Sequence, residues 1–166
     1  MTEVTFKSKT RFIVLVGALV IAAGIFYLVD PQITSLDEEV AAVQTGQRHI
    51  RREDYREAVD FLVTAAQKYP QNAEIRYTLG LGYDGLKQHS VAVSQYSLAL
   101  KYDPYLPGAV YEMGMHYLQL NQMNSVQEML ARLQSNCARG MSCAERDALA
   151  GAMAKHRALQ DLNKRN

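Results

Sequence analysis

Two cysteines and four histidines are the residues of this chain best suited to covalent or metal chemistry. Cys137 and Cys143 stand six apart around Gly140, which supplies a tight bend. An even cysteine count in an oxidising compartment points to a disulfide. Closing so small a loop contributes about 2 kcal/mol by chain-entropy arithmetic. A redox pair usually has closer spacing, and the C-x-x-C-H pattern of haem attachment is absent. Metal binding at the cysteines would need further ligands, and His116 and His156 have no metal spacing to them. His49, His89, His116 and His156 are scattered along the chain. No nucleophile motif, phosphate loop or metal signature is present. The expectation is a protein without catalytic residues, cofactor or metal.

The elements that would position these residues begin with a short basic tail, residues 1–11, carrying Lys7, Lys9 and Arg11. Residues 12–29 then run without a charge. As a helix they span about 27 Å, close to a bilayer's hydrocarbon core. Basic residues before the segment, and Asp37, Glu38 and Glu39 after it, orient it with the amino terminus inside. The spacing therefore predicts a single-pass anchor. A cleaved signal peptide, cut after Val20-Ile21-Ala22, is the competing reading, but the apolar run continues past that site. Either places the remaining chain outside the cytoplasm, in an oxidising setting. Residues 30–38 read as a linker and the start of a helix, with Ser35 and Glu38 forming a capping box. Arg48, Arg51 and Arg52 cluster near the first turn beside Glu53 and Asp54 and read as a solvated turn with local ion pairs. The net charge of +1 offers no whole-chain attraction for nucleic acid.

From residue 39 to 136 the chain repeats itself at a period of 34 residues. Gly46, Gly80 and Gly114 are in step. So are Ala58 and Ala92, Ala65 and Ala99, Pro70 and Pro104, and Tyr83 and Tyr117. In the middle unit Asn72 caps a helix from Ala73, and Ile75, Leu79 and Leu81 supply its apolar surface. Gly80 lets a second helix approach closely, with Ala92 facing it and Tyr96 filling the space beside them. Asp103-Pro104 ends that second helix.

Leu79, Gly80, Tyr83, Ala92, Tyr96, Ala99 and Pro104 match the pattern of the tetratricopeptide repeat, which this chain resembles across three units. Arg76 departs from it, where the family favours a bulky aromatic. The first unit departs at Thr45 and His49, and the third lacks the terminal proline. The resemblance implies an all-α fold: a transmembrane helix, then a three-repeat helix-turn-helix superhelix closed by a capping helix. Residues 137–160 would form the disulfide-closed turn and that cap, and 161–166 a tail. His49 and His89 fall where the family places aromatics, so packing is expected of them.

The family lines its inner face with the first helix of each unit. Carried over, the groove comprises Val43, Gln47, Tyr77, Leu81, Tyr111 and Met115. Relatives that grip a terminal carboxylate carry lysine and asparagine at such positions. Here Val43 and Tyr77 take the place of lysine, and Leu81 and Met115 that of asparagine. The implied groove is apolar and aromatic, which suits protein contacts. Packing of these side chains against their own neighbours, or filling of the groove by the carboxyl-terminal tail, are the other readings. The expected function is a non-catalytic interaction scaffold: a periplasmic subunit or assembly factor of a bacterial inner-membrane complex. A chaperone-like accessory of a secretion, translocon or pilus machinery is the alternative. The partners implied are a membrane protein complex or peptide segment and the lipid bilayer, with no nucleic acid and no small-molecule substrate.

Overall fold

The computed structural model describes residues 31–141 and 143–165, with side chains from Leu36 onward. The expected basic tail at 1–11 and anchor at 12–29 lie outside the described residues. Among the described residues no helix is long and apolar enough to cross a membrane. They form helices α1 (Pro31–Arg51), α2 (Tyr55–Lys68), α3 (Ala73–Gly85), α4 (His89–Tyr102), α5 (Pro107–Gln119), α6 (Met123–Ala138) and α7 (Ala144–Arg165).

Two boundaries differ from expectation. Residues 31–51 are helical throughout, so Ser35 lies inside α1 rather than at its cap. Helix α7 continues to Arg165, so the expected tail is helical as far as that residue. Nothing after Gln160 breaks a helix, and Lys164 and Arg165 suit the negative end of the dipole.

The turn between the two helices of each unit is built the same way three times. Glu53, Lys87 and Asn121 adopt left-handed φ values of 63°, 63° and 56°. Each turn closes with the double bond of a Schellman motif. Lys87 N–H donates to Asp84 C=O at 2.9 Å and Gln88 N–H to Tyr83 C=O at 2.9 Å. The same pairs recur from Glu53 and Asp54, and from Asn121 and Gln122. None of the three left-handed residues is glycine, and left-handed backbone costs an L-residue about 1–2 kcal/mol. Lys87→Gly is therefore expected to stabilise the domain by about 0.5–1 kcal/mol, after subtracting glycine's extra chain entropy. Denaturant melts of Lys87→Gly beside Lys87→Ala check this, and equal stability of the two variants would sink it.

Each unit's glycine admits a large side chain. A methyl group on Gly46 would overlap Leu62, and one on Gly80 would overlap the Tyr96 ring. Tyr96 thus lies nearest to Gly80. In the third unit the side chain over Gly114 is Leu149, supplied by α7 rather than by the unit's own second helix. This seats α7 on the end of the stack, and it packs against both α5 and α6.

The apolar interior forms two main clusters. One gathers Ala58, Val59, Leu62, Ile75 and Leu79, and the other Tyr96, Val110, Met113, Val126, Leu133 and Leu149. Arg76, out of place for an aromatic framework position, lies across the join of the first two units. Its guanidinium donates to Ala66 C=O at 3.3 Å and to Pro70 C=O at 3.4 Å, carbonyls at and beyond the end of α2. Asn72 caps α3 as expected, accepting from Ile75 N–H at 2.9 Å.

Candidate functional site

Successive first helices carry the six groove positions. Val43 and Gln47 are half-buried on α1, and Val43 packs on the amino-terminal cluster. Tyr77, Leu81, Tyr111 and Met115 are half-buried on α3 and α5, and all four pack on the carboxyl-terminal cluster. Each presents one side to the core and keeps part of its surface open.

Tyr77 is the most engaged of them. It lies close over Gly108, where a methyl group would overlap its ring, and its centroid is 6.0 Å from that of Tyr96. Burial pushes its hydroxyl up to about 12, helped by the charges of Glu112, Glu74 and Glu145. Carboxylates from α3, α5 and α7 therefore surround this point of the groove. Glu145 brings the start of the capping helix to the same place, and its Oε2 is buried without a hydrogen bond among the described residues.

A second constellation lies at the turn between α3 and α4. Asp84 Oδ1 is 2.9 Å from His89 Nδ1. Asp84 Oδ2 is 3.0 Å from His116 Nε2 and accepts from the Tyr96 hydroxyl at 2.7 Å. The rings of His89 and His116 stand with centroids 5.6 Å apart. His116 is buried, whereas the His89 side chain is 51% exposed. His89 therefore does not pack as an aromatic framework residue would. Burial pushes the Asp84 carboxyl up, and hydrogen bonds from Tyr96, His89 and His116 outweigh it, holding it below its ordinary value. Two residues separated by 32 positions in sequence, Asp84 and His116, meet here through stacking of the second and third units.

These observations can be set beside known structures. The crystal structure of the Sgt2 TPR domain from Aspergillus fumigatus superposes with a TM-score of 0.62 at 19% identity, covering 78% of this chain and 83% of that one. The TPR2AB domain of yeast Sti1, solved in complex with pHSP90, gives 0.64 at 15% identity, covering 95% of this chain. The chain spans 57% of that protein's length. The chain has the tetratricopeptide repeat fold. No protein-family model and no curated protein sequence matches it. The likeness at these identities is one of fold.

Within this repeat fold the carboxyl-terminal loop is pinned twice. Cys137 and Cys143 are disulfide-bonded with Cα atoms 5.0 Å apart, inside the usual range. Gly140, at φ 86°, makes a fourth Schellman turn, with Met141 N–H donating to Asn136 C=O at 3.2 Å. Arg146 Nη1 reaches from α7 to Gln134 Oε1 at 3.1 Å and to Cys137 Sγ at 3.5 Å. A further shallow cleft, lined by Ser97, Lys101, Met113, Tyr117, Glu128 and Arg132, uses none of the six groove positions.

Glu112 sits one helical turn before His116, with its carboxyl raised by burial and then by the charge of Asp84. A folded-state value above the unfolded one means that ionising Glu112 works against folding as pH rises through the folded value. Glu112→Gln is expected to raise stability at pH 7 and to change nothing below about pH 4, where the acid is protonated in both states. Melts at the two pH values check this, and a loss of stability at pH 7 would refute it.

Proposed function

We propose that this protein is a non-catalytic interaction module, held at a bacterial inner membrane by residues 12–29, whose repeats sit in the periplasm. There they bind a segment of a membrane protein complex as a subunit or assembly factor of it. The observation that carries the reading is the row of half-open apolar and aromatic side chains Tyr77, Leu81, Tyr111 and Met115 on consecutive units. Such side chains supply contact area at low entropic cost. The anchor adds local concentration, converting a weak groove contact into a sustained one.

The chemistry of the groove also restricts the occupant. The Sti1 domain is solved with pHSP90, so the fold accommodates a bound partner. Here the positions for gripping a terminal carboxylate hold Val43, Tyr77, Leu81 and Met115. Glu74, Glu112 and Glu145 place negative charge at Tyr77. A carboxylate would be repelled there. An apolar stretch bearing a lysine or arginine fits.

A mild-detergent pull-down from native membranes tests this. One dominant partner at a fixed ratio is expected, and it should be lost with a folded Tyr111→Ala/Met115→Ala variant. Unchanged recovery would remove the groove from the account, and a smear of substoichiometric secreted chains would replace the subunit reading by the chaperone-like one. Location has its own prediction. In freshly isolated membranes Cys137 and Cys143 are expected to resist alkylation until reduced. Free thiols there would contradict a periplasmic domain.

A further inference from the structure

The turn that joins α3 to α4 brings together two imidazoles and a carboxylate from three different helices. Asp84 lies near the end of α3, His89 opens α4, and His116 is buried on α5. One carboxylate oxygen of Asp84 and one ring nitrogen each of His89 and His116 all lie within 4.8 Å of one another. Ligands about 2.0–2.2 Å from one zinc ion stand about 3.4 Å apart in a tetrahedron. His89 Nδ1 stands 2.9 Å from Asp84 Oδ1 and His116 Nε2 3.0 Å from Asp84 Oδ2, so seating an ion asks for side-chain adjustment and no change of backbone.

We propose that Asp84, His89 and His116 form a three-ligand site for a divalent zinc ion, clamping the second repeat to the third. The donor set is that of zinc sites with three protein ligands and one open position. The surroundings support the assignment on three independent counts. The Tyr96 hydroxyl donates to Asp84 Oδ2 at 2.7 Å, the kind of outer partner that orients a ligating carboxylate. The Schellman turn through Lys87 fixes Asp84 and His89 relative to each other. His89, half in solvent, provides an entry path and leaves room for a water as fourth ligand.

Without the ion, the same atoms form a hydrogen-bonded network in which Asp84 is shared by three donors. With it, the ion would replace the two imidazole contacts and leave the tyrosine bond in place. No bond is made or broken in the protein, and the imidazoles bind as neutral groups. Binding would therefore compete with protons and weaken below the histidine range. A clamp here acts where consecutive repeats meet. In a stack of repeats that join is the unit of cohesion.

The test uses the full chain in detergent, without an affinity tag and stripped by chelator. Cobalt(II) is titrated at pH 7.5 and followed by its visible absorption, then displaced by zinc. One equivalent per chain is expected. His89→Ala, at a half-exposed position, should keep the helical spectrum of the metal-free protein and weaken binding at least about 10-fold. His156→Ala, which removes an imidazole facing Asn121 and Gln160 instead, should leave uptake unchanged. No saturable uptake by the native chain would overturn the proposal. So would equal affinity in the native chain and His89→Ala, or loss of binding with His156→Ala.

Discussion

Tyr96→Ala is expected to lower stability by about 4 kcal/mol, in the range for deleting a buried aromatic. The ring is fully buried. It fills the space that Gly80 leaves open and stands between the second and third repeats, near Tyr77 and His116. Glycine cannot reach across to fill the void, so the cavity persists rather than collapsing. The hydroxyl adds a separate loss. It donates to an Asp84 carboxylate that burial already disfavours. Tyr96→Phe isolates that part, at about 1.5–3 kcal/mol for a bond to a charged acceptor. In a domain of this size the alanine variant should melt roughly 15 °C lower. Thermal and urea denaturation give both numbers. If Phe and Ala proved equally costly, packing of the ring over Gly80 would add nothing to the hydroxyl's bond.

Leu149→Ala should cost about 3 kcal/mol, and its effect should be local first. Leu149 is the one side chain of α7 that is fully buried, seated against Gly114 and Met129. Without it α7 keeps its polar contacts at Asn121 and around Arg146 but loses its apolar anchor. The amides of α7 should then exchange faster than those of α3 and α4, because a repeat stack opens from its ends. Leu159→Ala is the control: that side chain is 53% exposed, and its loss should stay within about 0.5 kcal/mol. Uniform acceleration of exchange across all helices would show instead that the cap is part of a single cooperative unit.

Much of the fold is legible because it repeats. Gly46, Gly80 and Gly114 mark the close approaches, and the structure places a bulky side chain over each. The turns were less visible, although they repeat as faithfully. Only Asn121 of the three is a type that favours left-handed backbone, and Glu53 and Lys87 carry no such mark, so their φ values alone reveal the shared geometry. Arg76 reads as a departure from the family pattern, and only its bonds to Ala66 and Pro70 explain it. The Asp84 constellation is harder still. Its members do not recur from unit to unit: one period before His116 stands Gly82, and one period before Asp84 stands Ile50. Periodicity finds what the units share. It is blind to what differs between neighbours, and differences at a join are where a binding site in such a stack is built. The groove positions were named by resemblance, and the electrostatics around Tyr77 show what that could not: the acidic surroundings come partly from α7.

The fourth left-handed turn, at Gly140, follows the second helix of a unit, whereas the first three join the two helices within one. A stack of identical units is an open polymer in principle, since its last face resembles the surface onto which the next unit docks. That turn, tied by Cys137 to Cys143, falls where the chain leaves the third unit and delivers α7 onto it. Leu149 then occupies the ledge formed by Gly114 and Met129. A second molecule arriving head to tail finds that ledge taken. The cap thus closes that face of the third unit to head-to-tail growth.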